Sequence, residues 1–216
     1  MIFVNFKTYR QGTGEKALEL AKICQEVKEQ EKVEIIPVVQ AADIYRLGKA
    51  VSLPVWTQHI DNIEFGPNTG SLLPEAIREA GASGTILNHS ENKLPFEVIK
   101  ETIGRLKDLS MRVLVCSESI EEGKKIAEFK PDFLAYEPPE LIGNREISVS
   151  TAKPRVLADF VAKFSQIPVI VGAGIHSFTD VKIALKLGAM GVLVATDVVL
   201  AGDQKKELTE LAKGFK

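Results

Sequence analysis

The sequence predicts an α/β protein built as a (β/α)8 barrel, a closed parallel sheet of eight strands surrounded by helices. Short apolar runs rich in Val and Ile alternate along the chain with longer segments whose apolar residues have helical spacing. There are eight such runs, and 216 residues leave room for one strand, one helix and two short loops per unit. The predicted strands are residues 2–6, 33–38, 54–58, 84–88, 112–116, 133–136, 168–171 and 191–194.

Each kind of element has its own signature. The strands are almost continuously apolar, which is typical of parallel strands buried on both faces. The helical segments carry one apolar stripe, such as Ala17, Leu20, Ala21, Cys24 and Val27, opposite a charged face. Glycine and proline follow these segments, as they do at helix ends. We therefore expect one domain over residues 1–216.

Eight alternating units close into a barrel that has no edge strand, with right-handed crossovers throughout. An open, doubly wound sheet is the alternative architecture. Its dinucleotide-binding version is disfavoured because no G-x-G-x-x-G follows the first strand.

Composition excludes several classes of protein. The chain is 45% hydrophobic, which supports a real core, and its net charge of −2 argues against a nucleic-acid partner. No apolar run approaches the length that spans a bilayer, and no signal peptide is evident, so we expect a cytoplasmic protein without a membrane partner. Two cysteines provide neither a disulfide framework nor a zinc site.

In a (β/α)8 barrel the active site lies at the carboxyl ends of the strands. Strand one ends in Asn5 and Lys7, which strand periodicity would direct to the same side, into the barrel mouth. Strand four ends in His89, a residue suited to acid–base or hydrogen-bonding work. Strand six ends in Glu137, followed by two prolines. Burial there would raise the pKa of this carboxyl toward that of a useful base.

The ends of strands seven and eight suggest a phosphate site. Gly172-Ala173-Gly174 and Ala195-Thr196 offer main-chain N–H groups without bulky side chains, in the loops where many such barrels hold phosphate. His176 is expected to face solvent, and His59 to shape a loop or a subunit contact. Cys116 is expected to pack beneath the site.

Taken in order, four segments resemble the triosephosphate isomerase family in its short archaeal form, over essentially the whole chain. The segments are Asn5-Phe6-Lys7, Asn88-His89-Ser90-Glu91, Tyr136-Glu137-Pro138-Pro139-Glu140-Leu141-Ile142-Gly143 and Gly172-Ala173-Gly174-Ile175. The resemblance implies a TIM barrel that interconverts dihydroxyacetone phosphate and D-glyceraldehyde 3-phosphate, with no cofactor and no metal.

The resemblance also implies residue roles, and this family is the established example of a carboxylate base working beside a neutral imidazole. Glu137 would be the base and His89 the imidazole. Lys7 and Asn5 would bind substrate, with Glu91 paired to Lys7. Residues 138–144 would form a lid bringing Ile142 and Gly143 over the substrate, and Gly143, Gly174, Ala195 and Thr196 would hold the phosphate.

One departure from the family pattern lies at the phosphate end. Asp197 stands where Gly or Ser is usual, and we expect it to turn outward and cap the short helix that follows.

Further expectations concern assembly and the competing functions. The family resemblance implies a homo-oligomer, either a tetramer or a dimer, with the loop at residues 61–71 docking into a neighbouring subunit. Two other functions stay open: another phosphate-binding barrel isomerase or epimerase, and a barrel that binds without catalysis.

Overall fold

A computed structural model describes residues 1–138 and 154–216 and contains a closed parallel barrel. The strands pair in chain order, and the eighth returns to pair with the first, Ile2 opposite Val192 and Val4 opposite Val194. The predicted fold class and all eight predicted strands are therefore confirmed. The strands are β1 Ile2–Asn5, β2 Ile35–Val39, β3 Trp56–Thr57, β4 Gly84–Leu87, β5 Arg112–Ser117, β6 Phe133–Tyr136, β7 Val169–Val171 and β8 Gly191–Val194.

β6 and β8 have the predicted bounds, and the ends of the other six strands differ from the predicted ones by at most two residues. β3 is the shortest, with two residues where five were predicted, although the Gln58 N–H still donates to the Val39 carbonyl at 3.0 Å. Val33 is buried but precedes the first paired residue of β2, because apolar character extends beyond the hydrogen-bonded ladder.

Helices surround the barrel, and a 3-10 turn at Arg10–Gly12 follows β1. In the described part of the chain the helices are α1 Glu15–Glu31, α2 Ala41–Ala50, α3 Pro74–Glu79, α4 Phe96–Asp108, α5 Ile120–Glu128, α6 Pro154–Lys163, α7 Phe178–Lys186, α8 Thr196–Val199 and α9 Gln204–Lys213. Their buried residues match the predicted stripe, and α1 buries Ala17, Leu20, Ala21, Cys24 and Val27. None of these helices is long and apolar enough to cross a membrane.

The core has two layers. One lies between the strands and the helices, and the second fills the barrel itself. Inside the barrel three aromatic rings meet: Phe3 packs edge-on against Trp56 at 5.0 Å and against Phe133 at 5.5 Å between ring centroids. These rings fill the interior and leave the cavity at the carboxyl ends of the strands.

Gly84 provides the space for the Trp56 ring. A Cβ atom at Gly84 would lie 2.3 Å from Trp56 Cε2, well inside contact distance. The ring is fully buried against Phe3 and Phe133, so it has no free space into which to move.

We predict that Gly84→Ala lowers the free energy of unfolding by about 1–3 kcal/mol, the usual cost of overpacking a core. Urea unfolding measures the change. Gly104→Ala is the matched control because a Cβ there meets no atom within 4 Å, and alanine favours the α4 helix. Equal stabilities of Gly84→Ala and the unaltered protein would show that the Trp56 ring can move to make room for the added Cβ atom.

Candidate active site

A cavity opens at the carboxyl ends of the strands. The predicted site residues that line it are Asn5, Lys7, His89, Glu137, Gly174, Ala195 and Thr196. Five different strands or the loops after them supply these residues, so the residues are distant in sequence and close in space. Ile142, Gly143 and the predicted lid after Pro138 lie outside the described residues.

Glu137 follows β6 and is held by the barrel. Its N–H donates to the Ser117 carbonyl at 2.8 Å, and only 4% of the residue is exposed. Burial raises the pKa of the Glu137 carboxyl, although His89, the Cys116 thiol and two lysines oppose the rise. Its Oε2 atom is buried without a hydrogen-bond partner in the described residues. This is a carboxylate poised to accept a proton.

His89 faces Glu137 across the cavity. Its Nε2 lies 3.6 Å from Glu137 Oε1, while its Nδ1 accepts a hydrogen bond from the Glu91 N–H at 3.2 Å. An imidazole that accepts at Nδ1 carries its single proton on Nε2 when it is neutral. The neutral ring therefore directs an N–H donor toward the side of the cavity that holds the base.

Asn88 fixes the position of His89. Its backbone is left-handed, with φ of 57°, and its side-chain amide donates to the Cys116 carbonyl at 2.9 Å and to Glu122 Oε1 at 2.8 Å. Burial acts to raise the pKa of the Glu122 carboxyl, but hydrogen bonds from Lys93, the Glu118 N–H and Asn88 hold it below its ordinary value. Sequence analysis did not find this network, because its members belong to different elements: Asn88 follows β4, Cys116 lies in β5 and Glu122 lies in α5.

Lys7 reaches the cavity by a different geometry from the one predicted. It lies beyond the end of β1 with φ of 48°, so strand alternation does not set its direction. Its N–H donates to Asn5 Oδ1 at 3.0 Å, and its carbonyl accepts from Gln58 Nε2 at 2.9 Å. These bonds hold a conformation that is uncommon for a residue with a side chain. The Lys7 ammonium forms an ion pair with Glu91 at 2.6 Å.

Two residues beneath Glu137 support its carboxylate. The Cys116 thiol is buried beside it, and burial followed by the charge of Glu137 raises the pKa of that thiol well above its ordinary value. Gly172, after β7, leaves room for the side chain: a Cβ there would lie 2.5 Å from Glu137 Cγ. The first glycine of the Gly172-Ala173-Gly174 turn therefore leaves space for the Glu137 side chain in addition to forming part of the loop.

The predicted phosphate end lies opposite, between the loops after β7 and β8. In the described residues, the N–H groups of Gly174 and Ala195 donate to no acceptor, so they are available to a ligand. Gly174 has φ of 69°, a conformation that favours glycine. The Thr196 hydroxyl lies 3.0 Å from the Tyr9 hydroxyl, which ties this loop to the segment after β1.

Two expectations at this end are wrong. Ala195, rather than Asp197, precedes the short helix α8 as its cap, and no side chain caps that helix. Asp197 Oδ2 instead lies 2.5 Å from His176 Nδ1, and both residues line the cavity. His176 is only partly exposed, and its Nε2 is buried, so it does not simply face solvent. The two residues are 21 positions apart, and no local sequence signal predicts their contact.

His59 shapes a loop, one of its two expected roles. Its Nε2 lies 3.1 Å from Asp61 Oδ1, and Asp61 also accepts the Leu72 N–H at 2.6 Å. This pair holds the base of the loop at residues 61–71, away from the cavity.

The molecule is a closed parallel barrel that holds a buried carboxylate, an imidazole and a lysine at the carboxyl ends of its strands. This combination defines an α/β-barrel enzyme of the kind that moves protons on small molecules. The family model of triosephosphate isomerase matches residues 1–213. The triosephosphate isomerase of Methanothermus fervidus is 45% identical over 215 residues, 98% of this chain and 96% of that protein.

Other relatives agree. The triosephosphate isomerase of Methanocaldococcus jannaschii is 41% identical over 217 residues, 99% of each chain. A crystal structure of triosephosphate isomerase from Bartonella henselae has the same fold, with a TM-score of 0.76, 19% identity and coverage of 99% of this chain and 98% of that one. The chain therefore belongs to the triosephosphate isomerase family, as its resemblance to the archaeal form predicted.

We predict that Gly172→Ala lowers kcat about 100-fold, the effect expected when a catalytic group is misplaced by about 1 Å. The added Cβ would lie 2.9 Å from Glu137 Oε1 and would push the carboxylate out of position. Steady-state kinetics of isomerisation measures the effect. Gly202→Ala, where a Cβ meets no atom within 4 Å, should leave kcat unchanged. A wild-type kcat in Gly172→Ala would show that this packing contact does not position Glu137 for catalysis.

Proposed function

We propose that this site interconverts dihydroxyacetone phosphate and D-glyceraldehyde 3-phosphate, the reaction of the family, which serves glycolysis and gluconeogenesis. The observation that carries the proposal is the arrangement of Glu137 and His89. A buried carboxylate with a raised pKa lies 3.6 Å from an imidazole nitrogen that bears the proton in the neutral ring. Proton abstraction beside a carbonyl requires a base that takes the proton and a donor that stabilises the charge on oxygen. Glu137 and His89 supply these two functions.

The proton moves through Glu137. Its carboxylate removes a proton from the carbon next to the carbonyl and leaves an enediolate, and the same proton is then returned to the neighbouring carbon. One carboxylate serves both carbons because they are adjacent. The hydroxyl proton moves from one enediolate oxygen to the other, so the carbonyl and hydroxyl groups exchange places and the isomerisation balances without a co-reactant.

The negative charge of the enediolate falls on its two oxygens. His89 meets it with the Nε2–H donor, and Lys7 adds a positive charge beside Asn5. Preorganised donors of this kind are usually the largest single contribution to catalysis. Glu91 holds Lys7 through the 2.6 Å ion pair, and its own side chain is 60% exposed, so solvent weakens its opposition to the lysine charge.

The phosphate lies at the opposite end of the proposed substrate. Main-chain N–H groups of Gly174, Ala195 and Thr196 hold it, together with Gly143 from the lid. Ile142 closes over the substrate and excludes water, which suppresses loss of phosphate from the enediolate. The available N–H groups of Gly174 and Ala195 support this assignment. The assignments of Ile142 and Gly143 rest on the family resemblance alone.

A different barrel isomerase or epimerase that used a thiol as its acid or base is disfavoured. Cys116 is the cysteine beside the cavity, and burial raises the pKa of its thiol well above the ordinary value. A neutral, buried thiol does not act as a base near neutral pH. A barrel that binds without catalysis would give no turnover in a coupled assay for dihydroxyacetone phosphate.

Residues 1–216 form one (β/α)8 catalytic domain, located in the cytoplasm, whose small-molecule partners are triose phosphates. Cell fractionation tests the location.

We predict that the protein isomerises glyceraldehyde 3-phosphate and that Glu137→Asp lowers kcat about 100-fold with a much smaller rise in KM. Shortening the side chain by one methylene moves the carboxylate away from the carbon-bound proton that it must accept. A coupled assay for dihydroxyacetone phosphate measures both constants. Glu121→Asp, at an exposed position of α5, is the control and should match the unaltered enzyme. Near wild-type kcat in Glu137→Asp would exclude Glu137 as the base.

We predict that kcat/KM falls on the acid side with a midpoint above the ordinary value for glutamate, since the base must be ionised and burial raises the pKa of Glu137. Cys116→Ala removes a hydrogen bond that lowers this pKa, so its midpoint should move upward. Cys24→Ala, in the buried face of α1, should leave it in place.

This acid limb reports protonation rather than unfolding. A carboxyl whose pKa is raised in the folded state binds its proton more tightly there, so its contribution to stability increases as pH falls through that pKa. Circular dichroism at the same pH values provides the check. An acid limb that follows the loss of secondary structure would contradict the assignment.

We predict a homo-oligomer, tetrameric with a dimer as the alternative, that uses the loop at residues 61–71. Phe65 in this loop is 77% exposed, an unusual position for a large apolar side chain. Light scattering should give the mass of the oligomer, and Phe65→Asp should reduce it. Tyr45→Asp, at a residue 63% exposed on α2, should not. A monomer mass for the unaltered protein at micromolar concentration would overturn the prediction.

A further inference from the structure

A single carboxylate oxygen binds both ends of the loop at residues 88–94, which contains His89 and is called the His89 loop below. Glu122 Oε1 accepts hydrogen bonds from Asn88 Nδ2 at 2.8 Å and from Lys93 Nζ at 2.6 Å. Asn88 is the first residue of this loop, directly after β4, and Lys93 is the last but one. The His89 loop is therefore held at both ends by one atom of a residue that lies outside it.

Glu122 is fixed in place by the start of α5. Its N–H donates to the hydroxyl of the N-cap residue Ser119 at 3.1 Å, and its second oxygen, Oε2, accepts the Glu118 N–H at 2.7 Å. The side chain is only 13% exposed. Although burial acts to raise the pKa of this carboxyl, its hydrogen bonds lower that pKa on balance, so it accepts as an anion. The His89 loop is thus attached to a charged acceptor on a rigid element.

The same network joins the His89 loop to the strand that positions Glu137. Asn88, which is 1% exposed, also donates from Nδ2 to the carbonyl of Cys116 in β5 at 2.9 Å. The carbonyl of the next residue, Ser117, accepts the Glu137 N–H at 2.8 Å. A displacement of Asn88 therefore changes where the imidazole lies relative to the base.

The shape of the loop also determines which nitrogen of the His89 ring carries the proton. Nδ1 accepts the Glu91 N–H at 3.2 Å, and the His89 carbonyl accepts the Asn92 N–H at 2.8 Å. Both donors lie between the two ends that Glu122 holds. The bond to Nδ1 is at the long end of the usual range, so a small change of the loop would break it. The neutral ring could then carry its proton on either nitrogen, and only the Nε2–H form donates toward the side of Glu137.

We propose that Glu122 is a positioning residue for His89: by holding both ends of the His89 loop, it keeps the imidazole in the tautomer and orientation that stabilise the enediolate. Glu122 is not among the described residues that line the cavity, and it acts through Asn88 and Lys93. Its effect on turnover rests on the proposed function, whereas its effect on the tautomer of His89 does not.

Glu122→Met tests this role, because methionine has a similar length but offers only a weak acceptor. We expect kcat for isomerisation of glyceraldehyde 3-phosphate to fall about tenfold, since a misplacement of about 1 Å costs about 100-fold and a smaller one costs less. KM should change little, because the proposed phosphate subsite lies at the other end of the cavity. Glu121→Met is the matched control: it removes a carboxylate from the same first turn of α5 at an exposed position, and it should leave kcat unchanged.

The ring of His89 provides a readout that does not depend on turnover. Nitrogen-15 NMR distinguishes a protonated imidazole nitrogen from an unprotonated one, and at about pH 8.5 histidine is ordinarily neutral. The unaltered protein should show a protonated Nε2 and an unprotonated Nδ1. Glu122→Met should show a mixture of the two tautomers, and Glu121→Met should show the unaltered pattern.

A folded Glu122→Met protein whose His89 keeps its tautomer, or whose kcat equals that of Glu121→Met, overturns the inference even if its thermal stability is lower. In that case Glu122 only stabilises the fold. If Glu122→Met does not fold, Glu122→Gln against Glu121→Gln makes the same comparison with a smaller expected loss of kcat, because glutamine keeps one acceptor oxygen. Absence of turnover in the unaltered protein contradicts the proposed function instead, and the ring spectrum still tests the position of His89.

Discussion

Closure of β8 onto β1 is the constraint on which the rest of the molecule depends. The register Ile2 opposite Val192 and Val4 opposite Val194 brings together two ends of the chain that are 190 positions apart. It sets Tyr9 against Thr196 and places Lys7 in the same cavity as Ala195. Since the aromatic rings fill the interior of the barrel, the described residues leave room for a ligand at the carboxyl ends of the strands, where the cavity lies.

Closure also determines the chemistry of Glu137. The residue is buried because β5 and β7 flank β6, and burial raises the pKa of its carboxyl. A buried carboxylate costs stability at neutral pH, and the surrounding residues limit that cost without removing it. The Cys116 thiol, the His89 ring and the charge of Lys7 favour the ionised form, while the missing side chain at Gly172 leaves space for it. The result is an ionised group that is poorly solvated and therefore a stronger base than a surface glutamate.

Much of this was predictable from the sequence because it follows from periodicity and position. Apolar runs alternating with amphipathic segments predict the eight strands, and the carboxyl-end rule then places Asn5, His89 and Glu137 at one mouth. Contacts between loops carry no such periodic signal, so the His176–Asp197 pair and the Tyr9–Thr196 contact appear only in the folded chain. Lys7 shows the intermediate case: its presence at the mouth was predicted, but a left-handed backbone, rather than strand alternation, directs it there.

The charges around the mouth follow a pattern that separates Glu137 from its neighbours. Glu91 is paired with Lys7 at 2.6 Å, Glu122 with Lys93 at 2.6 Å, and Asp197 with His176 at 2.5 Å. Each of these carboxylates has a nitrogen donor in direct contact, whereas the donor beside Glu137 is the weaker Cys116 thiol. Glu137 has its nearest ring nitrogen at 3.6 Å, and the His89 Nδ1 already accepts a main-chain proton. Thus, among the described residues at the mouth, the carboxylate best able to take a proton from carbon is the one that the barrel buries deepest.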